Sequence, residues 1–257
     1  MSPVGQNTYS YNDFILDVTQ GIISGYSCIN KFGRNDDIDS TSGFEAIWNG
    51  GGSYTGQDPI AAETLEIFSS DVNDDAAGTG ARTVRIFGLD ENWVEQTEEI
   101  IMDGTTAVDT VNTYIRQYRA RVLTAGSGLV NAGDITARQK TTTANITMVL
   151  PSGYNSTMIA AFTIPANKTG YIVQLFAVVA GKTIAESNVQ WKVRPFGETY
   201  QVQEEFTLLA AGSSYINREY SIPKGPYTAK TDIVVEADTN QNNTGIAAGF
   251  GVILIDS

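Results

Sequence analysis

The segment Val189-Gln190-Trp191-Lys192-Val193-Arg194-Pro195 alternates apolar and polar residues with a period of two. Successive side chains on a strand point to opposite faces, so this spacing turns Trp191 and Val193 toward a core and Gln190, Lys192 and Arg194 toward water. Pro195 lacks a backbone N–H and either ends the strand or places it at an edge. Upstream, Tyr171, Val173, Leu175, Ala177 and Val179 share one face and Ile172, Phe176 and Val178 the other, which predicts a strand covered on both sides and central in its sheet. Downstream, Val202, Phe206 and Leu208 alternate with Glu204 and Glu205, and Ile233, Val235 and Ala237 repeat the theme. The apolar run from Gly249 to Ile255 is too short for a membrane and reads as a terminal strand in a sheet.

The first half carries the same signal. Leu65 and Ile67 alternate with Thr64, Glu66 and Phe68. Val84 and Ile86 lead through a turn at Leu89 to Asn92 into Glu98, Ile100 and Met102, which reads as a hairpin with one partly wet face. Tyr114 to Thr124 makes another strand, with Ile115 and Arg116 on opposite faces. Gly33 to Gly43, with Asn35, Asp36, Asp37 and Asp39, is loop chemistry, and Phe14 to Lys31 reads as irregular with short strands. No convincing helix of about ten residues or more is present, against an ordinary expectation of about one third helix.

These signals predict an all-β chain, an antiparallel β-sandwich or jelly-roll-like fold, with two β-domains and an extended N-terminal arm. The arm is expected over 1–30, a first β-domain over 31–141 and a second β-sandwich domain over 142–257. The polar run Arg138 to Thr143 marks the boundary, because charge and threonine replace the apolar pattern there.

Composition narrows the chemistry. The 257 residues are 42% hydrophobic and 18% charged, a balance that supports a packed core without staples. A formal net charge of −13 repels phosphate backbones and anionic lipid, so neither nucleic acid nor membrane is an expected partner. Arg116, Arg119 and Arg121 are the one candidate basic patch, with a solvated strand face as the commoner reading. The chain has no histidine, which removes the usual general base and the commonest transition-metal ligand. Cys28 is the single cysteine, so an internal disulfide and a thiolate zinc site are both excluded, and its apolar neighbours suggest a small buried hydrophobe. The first thirteen residues lack the basic and apolar regions of a secretory signal, which argues against conventional export and leaves the glycosylation sequons without weight.

Paired carboxylates are the remaining route to catalysis, as in a glycosidase. Glu98 with Glu99, and Glu204 with Glu205, are adjacent, and adjacent strand residues diverge to opposite faces. Trp48, Trp93 and Trp191 fall in different segments and form no evident sugar platform. Asp71 to Asp75 and Asp238 to Asn242 have calcium-like oxygen chemistry but lack the EF-hand Gly and distal Glu, so solvated turns are favoured. Gly78-Thr79-Gly80-Ala81-Arg82 leads into a strand and lacks the ending of a phosphate loop. No catalytic residue, cofactor or metal is expected.

The wording of the sequence is also informative. Lys31-Phe32-Gly33-Arg34-Asn35, the Trp48-Asn49-Gly50-Gly51-Gly52 turn, Ala76 to Val84, Gly88 to Trp93, Gly126 to Gly133 and Ala247-Ala248-Gly249-Phe250, in that order, resemble a family of structural proteins of tailed, mostly aquatic bacteriophages. The resemblance runs from about Lys31 to the end and carries over no individual functional residue. It implies a virion protein on the capsid exterior, made in the host cytoplasm, with a decoration or cement role and the major capsid protein as partner. Self-association as a homotrimer at local threefold axes suits such a protein. Tyr9, Tyr11 and Phe14 in the N-terminal arm are candidate capsid anchors, with a frayed terminus as the alternative. A tail-fibre or glycan-receptor protein, with Asn240 to Thr244 as a contact tip, is the competing expectation; the chain lacks the internal repeats of a fibre shaft.

Overall fold

In the computed structural model, residues 11–180, 185–210 and 213–257 are described. One helix, α1 (Tyr11–Thr19), is followed by strands β1 (Tyr26–Ile38), β2 (Glu45–Ala46), β3 (Leu65–Ser69), β4 (Ala81–Leu89), β5 (Glu95–Ile101), β6 (Val108–Asp109), β7 (Arg116–Ala125), β8 (Ile135–Gln139) and β9 (Ile146–Leu150). The chain continues through β10 (Ala161–Thr163), β11 (Lys168–Ala180), β12 (Ala185–Pro195), β13 (Gln201–Ala210), β14 (Ser213–Tyr227), β15 (Thr231–Thr239) and β16 (Thr244–Asp256). The protein is all-β with antiparallel sheets, as the alternation predicts.

Two sheets have the orders β1-β16-β11-β14 and β10-β15-β12-β13, with β2 beside β15. If β1 and β10 to β16 are counted in chain order as one to eight, the sheets run 1-8-3-6 and 2-7-4-5. That interleaving of two Greek keys is a jelly roll. Its core lies between the sheets and includes Trp191, Phe162, Phe250, Ile172 and Leu254, all fully buried. Each such side chain contributes roughly 1.5–3 kcal/mol by leaving water. On β12, Ala185, Ser187, Val189, Trp191 and Val193 are buried while the residues between them face out, and the strand stops at Pro195.

The second pair of sheets, β6-β3-β8-β9 and β5-β4-β7, encloses its own core of Leu65, Ile67, Ile86, Met102, Tyr114 and Met148. This sandwich is an insertion between the first two strands of the jelly roll. The chain leaves through Glu45 to Trp48 and returns through Ile159 to Ala161, and the two stems are joined by the Trp48–Ile159 bridge. Ala160 N–H donates to Ile47 O at 2.9 Å, while Ile47 and Val235 share a 3.0 Å bond that ties the stem to β15. Gly33 of β1 lies against this stem: a Cβ there would fall 1.9 Å from Ile47 O and 2.4 Å from Ala160 N.

Several boundaries differ from the sequence reading. Residues 26–38 form β1, hydrogen-bonded to β16, so the expected limit between residues 30 and 31 falls inside a jelly-roll strand and the expected loop from Gly33 begins in it. β1 crosses over to pair with the C-terminal strand, a partner that no local pattern announces. The polar run at Arg138 to Thr143 is the end of β8 and the turn into β9, because both strands pair in one sheet. Residues 11–19, assigned to an arm and irregular structure, are helical and pack on β1. In β11 a bulge between Ile172 and Gln174 resets the alternation, leaving Ile172, Val173, Leu175, Ala177 and Val179 buried and Val178 exposed.

Candidate functional site

The insertion meets the jelly roll through a buried charge cluster. β7 opens with Arg116, whose Nε and Nη2 donate to the two carboxylate oxygens of Asp232 at 2.8 and 3.0 Å. Its Nη1 donates to the carbonyl oxygens of Pro59 at 2.6 Å and Ile115 at 2.8 Å. Asp232, on β15, also accepts from Arg194 Nη2 at 2.9 Å and from the Thr163 hydroxyl at 2.6 Å. Gln57 bridges the same seam: its amide donates to Phe162 O and Ile233 O, both at 3.1 Å, and its Oε1 accepts from Tyr200 at 2.8 Å. The guanidinium of Arg116 stacks 4.7 Å from the Trp93 ring and that of Arg194 lies 4.3 Å from Tyr200. Burial raises the Tyr54 and Tyr200 phenols beside the cluster above the ordinary tyrosine range.

Chemically this cluster is saturated. The carboxylate is held by two guanidinium groups and a hydroxyl, and planar bidentate pairing leaves it no open position toward solvent. It is a lock between two β-units. Arg116 is therefore not part of a basic surface patch; of the three arginines singled out in the sequence, only Arg119 and Arg121 are exposed.

The other sequence candidates are also committed to structure. Asp74 is fully buried: Oδ1 accepts from the N–H groups of Ala81 at 2.6 Å and Ala132 at 2.8 Å, and Oδ2 from Gly133 N–H at 2.9 Å and the Ser69 hydroxyl at 2.6 Å. Asp71 and Asp75 bond the backbone N–H groups two residues on, which is turn chemistry. Among the described residues no group of three metal-ligating side chains converges. Glu98 accepts from the N–H groups of Val111 and Asn112, whereas Glu99 faces away and pairs with Arg85. Glu204 pairs with Arg218 and Tyr220, and Glu205 with Gln190. Gly80 N–H bonds Asn73 O, so the Gly78 to Arg82 stretch is spent on its own turn. Trp48, Trp93 and Trp191 are all buried. In the expected contact tip, Asn240 Oδ1 accepts from Glu186 N–H and Asn242 Oδ1 from the N–H and hydroxyl of Ser40.

Of the proposed anchors, Tyr9 lies outside the described residues, Tyr11 begins α1, and Phe14 packs edge-on against Tyr26 with ring centroids 5.6 Å apart. Leu16 and Ile22 are the large apolar side chains that α1 and its following turn leave exposed. Between α1 and the outer face of β1, β11 and β16 lies a cleft of about 490 Å³ lined by Ile15, Leu16, Cys28, Val173 and Ile253. Cys28 is half-buried there, and burial raises its thiol above the ordinary value. A second, polar cleft holds Asp36, Asp37, Asp39 and Glu45, and Glu45 is consumed by the N–H groups of Asp39 and Gly52. Sequence reasoning missed the Arg116–Asp232 lock and the buried Lys31; neither has a local signature. No helix among the described residues is long and apolar enough to cross a membrane.

The sequence matches no family model and no curated protein. Solved structures with some similarity include the cowpea mosaic virus top component, naturally occurring empty particles, at 9% identity and a TM-score of 0.22 over 77% of this chain and 82% of that one. Broad bean stain virus gives 11% identity and a TM-score of 0.22, over 77% of this chain and 87% of that one. The infectious bursal disease virus Gx strain gives 10% identity and a TM-score of 0.27, over 90% of this chain and 72% of that one. Superpositions this loose carry no argument about role, and the jelly-roll assignment rests on the strand order alone.

Proposed function

We propose that this chain is a virion structural protein without enzymatic activity, of the kind that decorates and cements a capsid from outside. The observation that carries this reading is the jelly-roll strand order combined with an inserted sandwich whose buried ionic groups serve the joint between the units. Jelly rolls recur in capsid, lectin and cupin domains. A histidine-based metal site is excluded by composition, and the tryptophans that would stack on a glycan are in the cores. Two β-units joined by a buried ionic lock offer a large surface, which suits area-based attachment repeated over many copies. A net charge of −13 on the outside of a shell keeps particles apart. The major capsid protein is the partner in this reading, the protein assembles as a homotrimer, and the N-terminal segment with Tyr9 and Tyr11 adds a contact to the shell.

The test is to image purified particles and count copies of the chain. Many copies spread over the shell, together with shells that break at lower temperature when the chain is deleted, support the reading. A few copies confined to the tail would reject it.

A further inference from the structure

We infer that the loop cluster at one end of the inserted sandwich is the surface that docks on the shell, with Leu129 as its anchor and a basic-rimmed apolar socket as its counterpart. This rests on the decoration reading above and adds the place and chemistry of contact. Four loops, 70–80, 103–106, 126–134 and 151–156, are bound to one another at that end. Asp74 ties the first to the third, Gly104 N–H donates to Asp74 O at 2.8 Å, and Asn131 and Asn155 exchange bonds of 2.9 Å between backbone N–H and side-chain oxygen.

Out of this rigid base stand apolar side chains: Leu129 is 76% exposed, Val72 68% and Tyr154 57%. Leu129 also has φ +62, a left-handed conformation that strains a residue with a Cβ. The surroundings impose it. Gly128 N–H donates to Thr79 O at 2.8 Å, Asn155 Nδ2 donates to Leu129 O at 3.1 Å, and a Cβ on Gly126 would fall 2.2 Å from Gly78 O. Glycine or asparagine would relieve the strain there, so neither packing nor backbone preference accounts for leucine. Presentation of an apolar side chain to a partner does.

Charge identifies the partner. Apart from the buried Asp74, the four loops carry Asp71, Asp75, Asp103 and Asp134 and contain no lysine or arginine; one arginine, Arg82 of β4, donates to Gly78 O at 3.0 Å. An anionic lipid surface, a nucleic acid and the same loop cluster of a second copy are repelled, whereas a protein socket ringed by lysine or arginine is attracted.

The experiment uses the full-length chain and purified particles prepared without it, with binding followed by co-sedimentation. Leu129→Gly is expected to fold with an unchanged or higher denaturation midpoint and to bind roughly tenfold more weakly, the size of one lost anchor. Ile222→Ser, which removes an exposed side chain on β14, is expected to bind normally. Added salt is expected to weaken wild-type binding. Wild-type affinity in Leu129→Gly overturns the docking surface and leaves the decoration reading standing, as does a loss confined to Ile222→Ser. Salt-insensitive binding overturns the basic socket. Failure of the wild-type chain to bind at all overturns both proposals.

Discussion

Arg116 and Asp232 are 116 positions apart in sequence and meet through two parallel hydrogen bonds of 2.8 and 3.0 Å, with side chains 2% and 0% exposed. One belongs to the insertion and the other to the jelly roll, so this pair ties the two sandwiches together.

Because Asp232 also holds Arg194, the three members differ in cost. Asp232→Ala leaves the buried Arg116 guanidinium without its carboxylate beside the partly buried Arg194 and is expected to lose about 3–5 kcal/mol. Arg116→Met leaves the carboxylate with Arg194 and Thr163 and is expected to lose less. Urea unfolding of the variants checks the order; equal losses would show that the carboxylate is not shared.

Asp74→Ala removes an acceptor from three backbone N–H groups and one hydroxyl in a site closed to water. Buried donors left unpaired cost about 1–3 kcal/mol each, so a loss of at least ~3 kcal/mol is expected in chemical denaturation. Since the carboxylate is already saturated, millimolar calcium or a chelator is expected to leave the wild-type thermal midpoint unmoved. A calcium-dependent rise would restore the metal reading of this loop.

Lys31 is buried, donates to the backbone oxygen of Tyr118 and faces Arg119; burial first, then that like charge, hold its amine well below the ordinary value of 10.5. Between the lowered and ordinary values the unfolded chain binds more protons, so stability rises with pH across that window, and below it the cost of the buried charge is fully present. Lys31→Met is expected to be more stable than the wild type at neutral pH by about 1–2 kcal/mol. That gap should narrow as pH climbs toward the ordinary lysine range. Denaturation at a series of pH values measures it, and a destabilised variant with no pH trend would refute it.

Gly33→Ala places a methyl group on the stem of the insertion, where both nearest atoms are backbone. No side chain can rotate away, so loss of several kcal/mol, or failure to fold, is expected. Gly197→Ala, at a left-handed turn position with open space around it, serves as the control and is expected to cost only about 1 kcal/mol.

The alternation at Gln190 to Arg194, the hairpin from Val84 to Met102 and the closing strand were legible in the sequence because strand periodicity and turn chemistry are local. Composition likewise removed histidine chemistry and disulfides, and the divergence of Glu98 from Glu99 followed from strand geometry alone. What the amino-acid order could not express was which distant segments pair. β1 reads locally as glycine- and aspartate-rich loop, yet β16 supplies its hydrogen-bond partners more than 200 residues away. The position of the insertion, the neutralisation of Arg116 by Asp232, the burial of Lys31 and the strain at Leu129 are all set by such contacts. Their free energy comes from groups brought together by the fold, and no window of neighbouring residues contains both partners.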